Sequence, residues 1–340
     1  MTDLPIVARI AEQFDFSGPT ASVGELGGGH INETFLVATP AGDYVVQRIN
    51  RSVFADPQLL VDNVVTVSTH LRGELVPVLV AARRGGWLVR EGGDAWRAWR
   101  RVAGAETIRE PTPARVGSAA HLLGRFHAGL ADLDPDAVGE VLPDFHDPAR
   151  RLRMLRAVVE ADPRGRVRGV EAEIAAAFAA EPLAGIAEDL VARVPRRVAH
   201  NDAKLDNVLF RGNDAVCLVD LDTVMPSAWF WDVGDLLRTA ATRAAEDDPR
   251  PDRSVVDPVL AASIVTGYRG GLGSSVTLTR WEDEALKRSG AIVTYEQALR
   301  FLTDWIAGDV YYRTTRPEQN LDRARAQLGL LASMPGTVGS

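Results

Sequence analysis

Residues 198–222 read VAHNDAKLDNVLFRGNDAVCLVDLD, and this stretch decides the fold class. His200, Asp202, Lys204 and Asn207 come in order, followed by two short apolar β runs (208–211 and 215–221) around a Gly-Asn-Asp turn, with acids at Asp220 and Asp222. Transfer of a phosphoryl group asks little covalent chemistry of a protein. It needs a carboxylate to orient the attacking hydroxyl, oxygen ligands for Mg²⁺, and positive charge near the transferred group. Asp202 suits the first role, Asn207 and Asp220 the second, and Lys204 the third. A lone Asp-x-x-x-x-Asn would be an ordinary loop pattern, because both residues favour turns. The ordered set, closed by a hairpin that returns an acid to the same place, is far more specific.

Lys204 stands out on composition alone. Of 38 Lys and Arg residues only two are lysines, Lys204 and Lys287. A chain that uses arginine for nearly every positive charge keeps lysine where a compact ammonium is wanted and a guanidinium fork would not fit. Lys287, in WEDEALKRSG, reads as a chance occurrence on an exposed helix.

Upstream, the first hundred residues are mostly β. The stretch 25–38 is a glycine cluster running into an alternating segment, 43–50 is a second strand-like run, and 87–90 with 95–102 reads as a hairpin around Gly92-Gly93-Asp94. A helix is predicted over 57–71, with Asp56 as N-cap and Pro57 at its first position. After Gly104 the pattern turns helical: 113–130 carries apolar residues at helical spacing, and 147–192 reads as several helices with solvated arginine faces. The expected architecture is α+β, a small antiparallel β-rich N-terminal lobe with one main helix over 1–103 and a larger, mostly helical lobe over 104–340.

Composition narrows the function. The chain has 340 residues, 46% hydrophobic and 25% charged, with 38 basic against 46 acidic residues for a formal charge of −8. This is an ordinary globular composition, and its acidity argues against nucleic acid as a partner. Apolar runs such as 174–180 fall far short of the ~18 residues of a membrane span. The opening MTDLPIVARIAEQFDF has no basic segment leading into an apolar core, so no signal peptide is expected. The single Cys217 fits a reducing, cytoplasmic setting.

The central stretch resembles the catalytic loop and metal-binding strand of the aminoglycoside phosphotransferase/choline kinase group. Within that group the chain looks closest to the N-acetylhexosamine 1-kinases, through GGGHINETFLV (27–37), YVVQRIN (44–50), HNDAKLDNVLF (200–210), VDLDTVMP (219–226), DVGDLLR (232–238) and RFLTDWIAGDVYYRTTRPEQNLDRARAQL (300–328). The helical LLGRFHAGL (122–130) is typical of the wider group. The resemblance implies a protein-kinase-like two-lobed fold, ATP and Mg²⁺ as cofactors, and phosphorylation of the anomeric hydroxyl of an N-acetylhexosamine. Carried over, it makes Asp202 the base, Asn207 and Asp220 the metal ligands, and His200 an organiser of the loop. Asp232 would hold that loop by hydrogen bonds, while Asp222 would assist metal or substrate or merely end the strand.

At the nucleotide end, Gly28, Gly29, His30 and Asn32 sit where such a fold covers the phosphates, and glycine permits close backbone approach there. The usual lysine on the third strand is missing, since no lysine precedes residue 204. Gln47 or Arg48 must replace it, or the phosphates are held otherwise; because strand neighbours face opposite ways only one of the two can, and Arg48 is favoured. The predicted helix also lacks glutamate, leaving Asp62 or Asn63 as partner. Adenine is expected near the inter-lobe connection, against Arg101 and Val102, mainly through backbone.

For the acceptor, Glu296, Arg300 and Asp304 share one helical face at i, i+4 and i+8. This is either a surface charge ladder or an arginine held between carboxylates and aimed at a sugar or phosphate. The resemblance favours Arg300 as a substrate contact, with Asp304, Tyr311 and Arg313 as further candidates. Trp229-Phe230-Trp231 reads as packing in preference to a sugar platform. An aminoglycoside, choline or amino-alcohol kinase is the alternative enzyme, and a non-catalytic nucleotide-binding regulator the alternative class.

Overall fold

The N-terminal lobe is built on a five-stranded antiparallel sheet: β1 (Ser22–Glu25), β2 (Glu33–Thr39), β3 (Gly42–Arg48), β4 (Val89–Glu91) and β5 (Asp94–Arg100), in the order β1-β2-β3-β5-β4. The structure, a computed structural model, describes residues 4–27 and 31–334. An N-terminal helix, α1 (Leu4–Ala11), was not expected from the sequence; at 8 residues it is too short to show a sustained period. It packs Val7 and Ile10 on one face of the sheet, against Phe35, Val37, Val46 and Trp96, all at most 5% exposed with Phe14 in the same core. The helix between strands, α2 (Pro57–His70), has Asp56 capping the amides of Gln58 and Leu59 and Pro57 in its first turn, as its sequence signals require.

Alternation in this sheet fixes what reaches the second lobe. Thr34, Gln47 and Arg97 are cross-strand partners on one face; Glu33, Arg48 and Trp96 are partners on the other. The Trp96 face is covered by α1, so the Gln47 and Arg97 face looks toward the C-terminal lobe.

The C-terminal lobe begins with β6 (Glu106–Thr107), which pairs with the hairpin of β8 (Val208–Arg211) and β9 (Asp214–Leu218). Its helices are α3 (Pro113–Gly129), α4 (Pro148–Ala161), α5 (Glu171–Ala179), α6 (Pro182–Val191), α7 (Trp229–Ala240), α8 (Pro258–Leu272), α9 (Arg280–Ala307) and α10 (Gln319–Ser333). Two short strands, β7 (Arg197–Ala199) and β10 (Met225–Ser227), pair antiparallel and frame the catalytic stretch on either side. Helices α3 and α8 cross almost backbone to backbone. A side chain at Gly124, Gly267 or Gly271 would collide with carbonyl oxygens of the opposite helix, which is why this contact uses glycine. A buried cluster of α2, α3, α7 and α8 residues lies under the site, and a second joins α4–α6 to α9 and α10. Among the described residues, no helix is long and apolar enough to cross a membrane.

Candidate active site

Residues 200–207 form a loop between β7 and β8, and its shape comes from buried polar anchors. Asp232, on the first turn of α7 and 0% exposed, accepts hydrogen bonds from the amides of His200 (2.8 Å) and Asn201 (2.6 Å) and from His127 Nε2 (2.8 Å). Burial pushes the His127 pKa down despite the neighbouring Asp232, so the ring is neutral; Nε2 carries the proton and Nδ1 accepts from the Tyr268 hydroxyl. His200 Nε2 donates to the Val219 carbonyl at 3.0 Å, and its Nδ1 accepts from the Asp202 amide. The ring thus ties the loop to the chain leaving β9. Asn201 adopts a left-handed conformation (φ 64) and donates its side-chain amide to the carbonyls of Ala199 and Thr223.

With the loop fixed, Asn207 donates to both the carbonyl (2.8 Å) and the carboxylate (2.9 Å) of Asp202. Lys204 Nζ donates to the same Asp202 Oδ2 at 2.8 Å. No donor among the described residues reaches Asp202 Oδ1, which leaves it open to an acceptor hydroxyl. Burial works against charge on Asp202, but the Lys204 ammonium, His200 and the Asn207 amide outweigh it and hold the carboxyl below its usual range. Burial likewise works against the Lys204 ammonium, and the carboxylates of Asp202 and Asp220 overcome it, raising its pKa. The pair is ionised at neutral pH.

The Val219 amide donates to the Asn207 carbonyl at 2.9 Å, so Asp220 follows directly beside the loop. The sequence reading carries the strand to 221; in fact β9 ends at Leu218, Asp220 is left-handed (φ 63), and residues 221–223 form a single 3-10 turn. That kink turns Asp220 out of the hairpin, at the energetic cost such a conformation carries. The surrounding protein, then the carboxylates of Asp222 and Asp202, raise its pKa to about 6, although the residue as a whole is exposed. Asp220 has no hydrogen bond or ion pair among the described residues, and the Asn207 side-chain oxygen is likewise without a donor. One carboxylate and one amide oxygen, both hard donors, fit a Mg²⁺ ion that takes few protein ligands and fills its shell with phosphates and water.

At the nucleotide side the sheet reverses the expectation for Arg48. Its guanidinium lies on the face away from the second lobe, held by Glu33 (3.0 Å) and Asp94 (2.9 Å). Gln47 faces inward and accepts from Arg97 Nε (3.0 Å) and Trp99 Nε1 (2.8 Å). Arg97, which the sequence reading missed, is 0% exposed and ion-paired with Asp222 across the lobes. Strand alternation and the register of β5 against β3 were the available signal, but that register cannot be fixed from sequence. Asn32 donates to Asp222 (2.6 Å) and accepts from the Asn50 amide. Gly28, Gly29 and His30 lie outside the described residues. Neither expected helix partner reaches this cluster. Asp62 is exposed and bonds Gln58, whereas Asn63 ties α2 to the Gly139 backbone and the Val224 carbonyl. In the connecting segment, Arg101 bonds Asp43 through both its amide and its guanidinium, and the Val102 carbonyl accepts from Ala105.

On the acceptor side, Arg300 is half-buried and makes no hydrogen bond or ion pair among the described residues. It lies instead over the rings of Phe145, Tyr312 and Tyr311 at 5.3, 5.6 and 5.9 Å. The flanking acids are spent elsewhere. Glu296, 1% exposed, accepts from His146 Nδ1 (2.8 Å) and the Asp147 amide (3.0 Å). Asp304, 4% exposed, accepts from the amides of Val310, Tyr311 and Tyr312 and from Asn320. So Asp304 shapes the 310–312 loop and does not face a ligand, a correction to its reading as a substrate contact; the exposed charge ladder is absent too. His146 Nε2 reaches the Asn201 carbonyl at 3.0 Å, linking this pocket to the catalytic loop. Arg151, unforeseen in the sequence, lies alongside, donating to the Phe145 carbonyl. Tyr311 is 61% exposed, and Arg313 is exposed with no side-chain bond to the site among the described residues. Trp229 and Trp231 stack on His127 (4.6 Å) and His146 (4.7 Å), so they are packing, as read from the sequence.

Comparison with known proteins places this geometry. The fold matches an aminoglycoside phosphotransferase from Alicyclobacillus acidocaldarius (16% identity, TM-score 0.67, covering 98% of this chain and 96% of that one). It also matches spectinomycin phosphotransferase solved with ADP and spectinomycin (9%, TM-score 0.65, 96% and 98%) and a microcompartment-associated aminopropanol kinase (17%, TM-score 0.62, 96% and 95%). At these identities the likeness speaks for the fold alone: a kinase-like, two-lobed α+β architecture with an antiparallel N-lobe and a helical C-lobe. Residues 22–262, most of the chain and all of the catalytic stretch, match the phosphotransferase enzyme family, and the chain belongs to that family.

Proposed function

We propose that the protein is an ATP-dependent small-molecule kinase that phosphorylates a hydroxyl of a neutral sugar, the anomeric hydroxyl of an N-acetylhexosamine. Asp202 Oδ1 accepts the hydrogen bond of the acceptor hydroxyl and aims its oxygen at the terminal phosphoryl. The lowered Asp202 pKa makes it a weak base, which suits transfer through a loose transition state where orientation matters more than early deprotonation. Lys204 supplies positive charge beside the reacting groups, and Asp232 with His200 keeps the loop rigid. Asp220 and Asn207 would hold Mg²⁺, which when bound screens the charge of the phosphates.

The observation that carries the sugar reading is Arg300, an unbonded guanidinium among three aromatic rings beside the catalytic loop. A second arginine, Arg151, lies close by, donating to the Phe145 carbonyl, and the nearby carboxylates Glu296 and Asp304 are buried and engaged in hydrogen bonds. A choline, amino-alcohol or aminoglycoside acceptor carries positive charge that two arginines repel. A neutral sugar offers hydroxyl and acetamido oxygens to the guanidinium and an apolar face to the rings. The test is ADP release with a panel of N-acetylhexosamines, neutral hexoses and cationic acceptors: the N-acetylhexosamines should lead, and a cationic acceptor turning over faster would refute the sugar assignment.

A further inference from the structure

Arg97 belongs to the middle of β5, where it is 0% exposed. Nothing at the protein surface uses its charge. Its Nε donates to Gln47 at 3.0 Å, its Cζ lies 5.0 Å from the Trp99 ring centre, and Nη2 is paired with Asp222. Nη1 is buried and has no hydrogen-bond partner among the described residues. Buried donors are almost always satisfied, and leaving a charged one empty is costly. Three features say what the missing partner is. Gln47, the inward-facing residue at the third-strand position where a lysine is expected, is the group that orients the guanidinium. Asp222, its counter-ion, is two residues from the exposed Asp220. Asn32, where the chain leaves the glycine turn, bonds the same Asp222 at 2.6 Å. The guanidinium therefore lies where Asn32, the third strand and the segment after the hairpin meet.

We propose that Arg97 is the cation that positions the nucleotide phosphates, taking over the duty of the absent third-strand lysine from the neighbouring strand, with Asp222 of the opposite lobe as its acid partner in place of a helix α2 glutamate. The substitution is internally consistent. An arginine one strand further back has the reach that Gln47 lacks, and Gln47 becomes its support. Helix α2 needs no acid, and it has none facing the cluster, because Asn63 is committed to the second lobe. An acid partner in the C-terminal lobe also makes the same ion pair span the two lobes.

This inference rests on the kinase reading, and the test separates the two. The affinities of ADP and adenosine are measured by titration calorimetry in EDTA, so that the ratio reports what the phosphates add. Arg97→Met should lower the ADP-over-adenosine preference about tenfold or more, the scale of a lost charge-assisted phosphate contact, while adenosine binding holds. Arg97→Lys should restore most of the preference. If Arg97→Met does not fold, Arg97→Met/Asp222→Asn removes both charges, leaves no unpaired buried ion, and should show the same loss. Equal weakening of ADP and adenosine, or an unchanged ratio, would overturn the role and leave Arg97 a structural ion pair. Wild-type protein binding neither compound would bring down the nucleotide-site reading itself.

Discussion

The side-chain amide of Asn207 is bonded to Asp202 twice, at the carbonyl (2.8 Å) and at the carboxylate (2.9 Å), so the two residues form one rigid unit across their five-residue separation. Lys204 completes it on the same carboxylate oxygen. Because Oδ2 is occupied, only Oδ1 of Asp202 is left to orient a hydroxyl. Asp202→Asn should therefore lower kcat by about 10²-fold or more, the usual scale for a positioned acid–base group. Nucleotide affinity, read by calorimetry, should stay within about threefold of wild type, since in the proposed reading Asp202 contacts the acceptor and not the nucleotide. Near-normal kcat would remove Asp202 from the chemistry.

Arg48 offers a control on the sheet register. Its side chain is more than a third exposed, and it pairs with Glu33 and Asp94 on the outward face. Arg48→Gln should leave the KM for ATP within about twofold and cost no more than ~1 kcal/mol of stability, as exposed ion pairs do. A large rise in KM would mean the sheet is turned the other way.

Asp220 carries a stability cost that its proposed role explains. Its folded-state pKa, about 6, lies above the ordinary carboxylate value, so the folded chain holds this proton more tightly than the unfolded chain. The group accordingly disfavours folding at neutral pH and ceases to do so as pH falls through about 6 toward 4. In EDTA, Asp220→Asn should raise the Tm at pH 7.5, with the gain fading at pH 5, and should abolish turnover with Mg²⁺. A lower Tm at pH 7.5 would show that the carboxylate is a structural asset and not a strained ligand.

Arg300 should separate acceptor from nucleotide. Arg300→Met preserves much of the aliphatic stem among Phe145, Tyr311 and Tyr312 but removes the guanidinium. The acceptor KM should rise about tenfold or more while the ATP KM is unchanged. Parallel rises in both would place Arg300 in general support of the lobe.

Asp232 is the loop's keystone, with three donors on a fully buried carboxylate. Asp232→Ala leaves the His200 and Asn201 amides unpaired in the core. It should cost ~3–5 kcal/mol in chemical denaturation, the scale of breaking a buried charged network. A loss under ~1 kcal/mol would mean the loop is held by other contacts.

Much of this was legible because local signals agreed with the fold. Asp56 and Pro57 mark the start of α2, the Gly92-Gly93 turn marks its hairpin, and the order His200, Asp202, Lys204, Asn207 marks the catalytic loop. What escaped the sequence depends on long-range register. Whether Gln47 or Arg48 faces inward is a one-residue question that only the pairing of β3 with β2 and β5 answers, and the same pairing brings Arg97 to Asp222 from 125 positions away along the chain. Asp304 was misread because helical spacing places it beside Arg300, whereas the backbone turn after Gly308 folds back and consumes its oxygens. Arg151 comes alongside Phe145 and Arg300 from α4, a helix whose arginines read as solvated.

The most direct test of the account is phosphorus NMR of the product formed from Mg-ATP and an N-acetylhexosamine. The expected result is ADP together with a new phosphomonoester resonance coupled to the anomeric proton, formed by wild type and absent with Asp202→Asn. A product whose phosphorus couples to any other sugar proton, or no phosphomonoester with any N-acetylhexosamine while a cationic alcohol is phosphorylated, would contradict it.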